Sequence, residues 1–262
     1  MLILQGAVKT FFHGTANERR ALRNVDLHLA EGDFATVIGS NGAGKSTLLN
    51  VIAGTHPLDA GTLTIDGRIV GTMPEHQRAR TIARVFQDPQ AGTAPHLSIE
   101  QNLAVAETRG KGRGLRRGVS KKRRQHYRDL LATLGLGLED RMRHRVGLLS
   151  GGQRQALSLL MASFTHPAIL LLDEHTAALD PQRAELVLTL TERVVSESGL
   201  TALMVTHNME QALRMGNRLL MMHEGEIVHQ LDAEQKRMAT VSDLLTLFGS
   251  AKGTVADRTL LS

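Results

Sequence analysis

Residues 39–47 read Gly-Ser-Asn-Gly-Ala-Gly-Lys-Ser-Thr and follow directly on the apolar run Phe34-Ala-Thr-Val-Ile38. A strand, then a glycine-rich turn, then a helix is the setting in which the pattern G-x-x-x-x-G-K-[ST] cradles phosphate. The glycines let the backbone curl until successive N–H groups and the helix N-terminus point at one anion. The lysine adds a point charge, and the hydroxyl beside it can ligate Mg²⁺. Gly39, Ser40, Asn41, Gly42, Ala43, Gly44, Lys45, Ser46 and Thr47 are therefore predicted to hold the phosphates of a nucleotide, with Lys45 on the β/γ-phosphates and Ser46 on the metal.

A second segment, Ile169-Leu-Leu-Leu-Asp-Glu174, is an apolar strand that ends in two carboxylates. Strands of this kind are common, but this one follows the phosphate loop at a distance that lets both share a sheet. Asp173 at the strand tip can hold the magnesium shell, and Glu174 can polarise an attacking water. A third segment, Leu149-Ser-Gly-Gly-Gln153, opens a helix that runs to Phe164. Ser150 is a capping residue, and Gly151 and Gly152 leave backbone N–H groups bare, so this too is an anion-binding helix start. One nucleotide does not need two phosphate cradles. The second is expected to serve a nucleotide bound to another copy of the chain.

Together these segments resemble the ATP-binding cassette ATPases, whose signature reads LSGGQ and whose subunits dimerise head to tail with two ATP molecules between them. The resemblance runs from about residue 2 to residue 230. It implies an α/β fold: a P-loop NTPase core with a parallel sheet, an antiparallel β subdomain and an inserted helical lobe. It also assigns roles residue by residue. Gln87, in Val85-Phe-Gln-Asp-Pro89, matches the glutamine that senses the magnesium shell, so Ser46, Gln87 and Asp173 form the expected metal set. Ser150, Gly151, Gly152 and Gln153 match the signature contact to nucleotide, and Asp180, in Ala178-Leu-Asp180, matches the D-loop. His207 matches the switch histidine facing the γ-phosphate, and Glu174, His207, Gln87 and Lys45 make up the catalytic group. Phe11 matches the aromatic that stacks on adenine, with Phe12 as the fallback. One departure stands out: the family commonly has proline after the catalytic glutamate, whereas this chain has His175, which either modulates Glu174 or is a neutral spacer.

The rest of the chain fits one cassette. Alternation in residues 2–10 and 25–29 marks strands, residues 61–70 read as a hairpin turning at Asp66-Gly67, and Ser98-Ile-Glu-Gln101 has the spacing of a helix-capping box. Residues 1–90 and 165–230 are expected to form the catalytic core, 91–164 a helical subdomain carrying the signature, and 231–262 a tail too short for a regulatory β-barrel. The sequence holds no internal repeat.

Composition narrows the function. The chain has 262 residues with 42% hydrophobic content and no cysteine, which excludes disulfides, thiolate catalysis and cysteine-bearing zinc sites. It has no apolar run of about eighteen residues and no signal peptide, so it is expected on the cytoplasmic side of the inner (plasma) membrane as a peripheral protein. Ten of its 31 Lys/Arg fall in residues 109–128 with no Asp or Glu among them, although the whole chain carries 26 acidic residues. That run is either an electrostatic footprint or a solvated surface, with residues 110–118 as an irregular excursion; without interleaved aromatics it gives no sign of nucleic acid. A single short cassette points to a transporter ATPase with separate integral membrane permease subunits and an extracytoplasmic substrate-binding protein, over a soluble cassette acting on nucleic acid, ribosomes or cofactor assembly. The motif texture resembles bacterial importers, with amino acids as the expected cargo, and ATP and Mg²⁺ as the expected cofactors.

Overall fold

The computed structural model describes residues 1–109 and 119–259. The expected irregular excursion at 110–118 lies outside the described residues. In chain order the elements are β1 (Leu2–Phe11), β2 (Arg19–Leu29), β3 (Phe34–Gly39), α1 (Lys45–Ala53), β4 (Ala60–Ile65) and β5 (Arg68–Ile69). There follow α2 (Glu75–Arg78), β6 (Ile82–Val85), α3 (Ile99–Glu107), α4 (Lys121–Ala132), a 3₁₀ turn (Val146–Leu148), α5 (Gly151–Ser163), β7 (Ile169–Asp173) and α6 (Pro181–Glu197). The chain continues with β8 (Ala202–Val205), α7 (Met209–Arg214), β9 (Arg218–His223), β10 (Glu226–Leu231), α8 (Ala233–Met238) and α9 (Val241–Thr259). Among the described residues no helix is long and apolar enough to cross a membrane. The polypeptide forms two compact units, one of Met1–Pro74 with the segment from Thr201 onward, the other of Glu75–Leu200.

The first unit holds an antiparallel sheet in the order β2-β1-β4-β5. Along β1, Leu2, Leu4 and Ala7 are buried while their neighbours face outward, as a half-buried strand requires. The β4–β5 hairpin closes through Asp66 (φ 48°) and Gly67 (φ 73°). Two successive positive φ values match the right-handed twist of the flanking strands, and aspartate followed by glycine tolerates them at little cost. The same unit places β3 between β8 and β9, both parallel to it, with β10 antiparallel on β9. β3 and β8 are buried on both faces, which is why each reads as a continuous apolar run. Ile38 of β3 packs with Ala212, Leu219, Met221 and Leu244, so α9, in the stretch expected to be only a tail, contributes Leu244 to the core under the phosphate loop.

The second unit pairs β6 with β7 in parallel, from Ile82↔Ile169 to Val85↔Leu172. Its helices start where the sequence puts capping residues. Ser98 and Gln101 close a capping box on α3, Ser120 caps α4, and Asp180 caps α6 with Pro181 in the first helical position. The basic run is not irregular where it is described, because residues 121–128 lie in α4. Arg124 donates two hydrogen bonds to Glu100, Arg123 pairs with Glu107, and the buried Tyr127 donates to Glu107 at 2.5 Å, so α3 carboxylates neutralise one face of the helix. Lys121, Lys122 and Arg128 remain exposed. The helical lobe expected at 91–164 falls within this unit, together with β6, β7 and α6.

Candidate active site

The phosphate loop leaves the carboxyl end of β3 and runs into α1. Gly42 (φ 83°) and Gly44 (φ 102°) adopt left-handed backbone, and Gly44 stands at the helix cap with no side-chain cap bond. A Cβ on Gly39 would lie 2.3 Å from the Met222 carbonyl oxygen, and one on Gly44 2.5 Å from that of Ala21, so only glycine lets the loop sit this close to its supports. Lys45 is buried, with its ammonium donating to the loop's own carbonyls at Gly39 (2.7 Å) and Ser40 (3.0 Å). That holds the charge inside the curl formed by the backbone. Ser46 is exposed beside it and Thr47 half-buried.

His207 follows β8, the parallel neighbour of β3, so both chain segments emerge from carboxyl ends of adjacent strands, where α/β sheets place their ligand sites. It is exposed and flanked by fixed residues: Thr206 donates its backbone N–H to Val37 of β3, and the Asn208 side chain caps α7 by accepting from Gln211. Phe11 ends β1 with its ring edge-on to His56, centroids 5.1 Å apart, and with the Lys9 ammonium 5.7 Å from its centre. Phe12 is 70% exposed, with φ 55°.

In the second unit Asp173 is the last residue of β7, and Glu174 turns the chain at once with φ 45°, a left-handed conformation that costs a non-glycine residue roughly 1–2 kcal/mol. The turn is closed by the Ala177 N–H donating to the Glu174 carbonyl at 2.9 Å. His175 is 1% exposed, and burial pushes its pKa down to about 4. Thr191 donates its hydroxyl proton to the Val187 carbonyl, so its oxygen accepts from Nε2–H of His175 at 2.9 Å. That fixes the Nε2–H tautomer and leaves Nδ1 buried without a hydrogen-bond partner. Of the two readings the sequence left open for His175, neutral spacer is the one the geometry supports.

Ser150 and Gln153 close a reciprocal capping box at the start of α5. Gly151 and Gly152 have a further reason to be glycine: a Cβ on either would lie 3.2 Å from α6 or the turn before it, against Leu179 and Arg183. Asp180 accepts from the Arg183 N–H at 3.1 Å and pairs with its guanidinium. Gln87 is exposed just beyond β6. Two residues escaped the sequence reading. Gln155, fully buried on α5, donates to the Phe86 carbonyl at 2.9 Å and so ties the signature helix to the residue before Gln87. Arg84, on β6, pairs with Asp173 at 2.5 Å. Each is a polar residue in an otherwise buried position, and that was the signal available.

A family profile described as ABC transporter matches residues 22–177. A tyrosine transport ATP-binding protein of Clostridioides difficile (strain R20291) is 40% identical over 248 residues, spanning 95% of this chain and 98% of the relative. The chain belongs to the ABC transporter family. A lipoprotein-releasing system ATP-binding protein of Caulobacter vibrioides is 37% identical over 216 residues, covering 81% of the chain and 88% of the relative. Among solved structures, a dimeric post-hydrolysis state of an ATP-binding cassette bound to ADP and Pi superposes with a TM-score of 0.75 at 30% identity, over 89% of this chain and 99% of that one. The protein is thus an ATP-binding, ATP-hydrolysing subunit of the family, of mixed α/β fold with parallel and antiparallel sheets. It is not a soluble non-transport ATPase.

The residues of this ABC ATPase suit Mg-nucleotide. The loop offers uncapped helix N–H groups and a buried ammonium to phosphate. Ser46, Gln87 and Asp173 offer oxygen donors, the ligand type that magnesium prefers alongside phosphate. Among the described residues no cluster of three or more His, Cys, Asp or Glu could hold a metal by itself.

Proposed function

We propose that the protein is the ATP-hydrolysing subunit of an importer for an amino acid of the tyrosine class. It would work as a head-to-tail pair of cassettes against separate membrane permease subunits, peripheral on the cytoplasmic side of the inner (plasma) membrane, with an extracytoplasmic binding protein delivering cargo. The observation that carries this reading is the 40% identity, end to end, with a tyrosine transport ATP-binding protein.

The roles follow from the chemistry at each position. Phe11 stacks on adenine with little discrimination between bases, since stacking reads a π-face. The loop N–H groups and Lys45 bind the β/γ-phosphates, and Ser46, Gln87 and Asp173 would hold magnesium. Bound magnesium supplies neutralisation of the charge that develops on the transferred phosphoryl group. Glu174 takes the proton of the attacking water as general base, and His207 donates to the γ-phosphate. Ser150 already accepts the Gln153 N–H through Oγ, which leaves its own O–H proton to donate to the γ-phosphate of the nucleotide held by Lys45 of the second copy. Asp180, beside Leu179 and Arg183 that border Gly151 and Gly152, would contribute to the same shared nucleotide contact.

The test combines cargo and chemistry. Cells carrying Lys45→Ala should lose uptake of labelled tyrosine, and the purified variant should bind ATP about a hundredfold more weakly, the scale of removing a buried charge from a phosphate. Normal tyrosine uptake alongside lost ATP binding would overturn the cargo and leave the ATPase assignment standing.

A further inference from the structure

Arg84 stands in β6 among Ile82, Ala83 and Val85, all buried. In the parallel pairing it lies opposite Leu171. Side chains two apart on a strand share a face, so Asp173 projects on the side of Leu171 and therefore of Arg84. The guanidinium reaches along that face: Nη2 to Oδ2 of Asp173 is 2.5 Å, with the two side chains 15% and 14% exposed. It also lies over the Phe86 ring, 4.9 Å from the centroid, where the ring face favours a cation. An arginine in a buried strand is costly to desolvate unless a geometry this close compensates it. Its partner is the carboxylate assigned to the magnesium shell.

We propose that Arg84 is the built-in counter-cation of Asp173, and that it sets the magnesium concentration at which the nucleotide site is completed. The proposal rests on the assignment of Asp173 to the metal made above. The guanidinium occupies Oδ2 and neutralises one of two adjacent carboxylates, Asp173 and Glu174, at the strand tip. Two cations on one carboxylate repel strongly where water is scarce. Arg84 therefore weakens the hold of Asp173 on magnesium, and by linkage magnesium weakens the pair between Arg84 and Asp173. The chain stays balanced in charge without metal, and commits Asp173 only when nucleotide brings magnesium with it.

Binding of the β,γ-imido analogue of ATP, followed by calorimetry across a magnesium series, tests this without turnover. Arg84→Gln should lower the magnesium midpoint about five- to tenfold, within the usual span of a coupling between sites, while its unfolding temperature in EDTA falls because Asp173 loses its partner. Arg84→Lys keeps the charge and should stay near the wild-type midpoint. Asp173→Asn should raise the midpoint, and adding Arg84→Leu to it should change nothing further, since no carboxylate remains to compete for; this double variant buries no lone charge and keeps the test open should Arg84→Gln fail to fold. A wild-type midpoint in Arg84→Gln, or an equal shift from Arg84→Leu in the Asn background, overturns the counter-cation. An unchanged midpoint in Asp173→Asn would instead show that the metal assignment itself fails, and the proposal with it.

Discussion

Lys236 of α8 carries its ammonium into the interior of the first unit, where it donates to the carbonyls of Met215 and Arg218 and to the hydroxyl of Thr36 on β3. Burial pushes its pKa down to about 8, against 10.5 for the exposed group. The sign of the pH effect follows. Below about pH 8 both folded and unfolded chains hold the proton and the burial cost is fully present; between about 8 and 10.5 the unfolded chain holds more protons, so stability rises with pH. Lys236→Met should remove that rise, which amounts to on the order of 3 kcal/mol by linkage, in urea unfolding compared pairwise with wild type from pH 7.5 to 10.5. Identical slopes in the two proteins would show that the ammonium is not held as described. No local pattern marks this residue, because its acceptors come from β3, the end of α7 and β9. The same holds for His175, visible in sequence only as a departure from proline: its tautomer depends on Thr191, sixteen residues on along α6.

At the scale of elements, what was legible was local. Helix starts at Ser98 and Ser150, the Asp66-Gly67 turn and the strand before the phosphate loop each follow from residues within a few positions of one another. Arg84 was not legible, since its partner lies 89 residues away and is set by the register of β6 on β7. The described part of the basic run is a related case: Glu100 and Glu107 of α3 compensate Arg124 and Arg123, and Tyr127 anchors α4, none of which the run of charge itself reveals. The tie between α5 and the end of β6 belongs here too. Gln155→Leu removes the donor to the Phe86 carbonyl and should reduce kcat about tenfold through misplacement of Gln87, while the affinity for nucleotide, set by the phosphate loop, changes less than twofold; losses of this size from small displacements are expected of positioning groups. Equal loss in KM and kcat would place Gln155 in general stability instead.

For the whole molecule, the account turns on two helix starts in one chain proposed to face phosphate, α1 at Lys45 and α5 behind Ser150. If both act on nucleotide, ATP is part of the contact between two copies and its hydrolysis loosens them. Glu174→Gln keeps the shape of the side chain and removes the proposed base, so the nucleotide should stay intact and hold the pair closed. Light scattering of purified Glu174→Gln with saturating Mg-ATP, alone and with the permease subunits present, should show a shift from one copy to two that ADP does not produce and that a second change, Ser150→Arg, abolishes by filling the signature start. A Glu174→Gln protein that stays single with Mg-ATP under both conditions, or a pair that forms equally well with Ser150→Arg, would contradict the shared nucleotide.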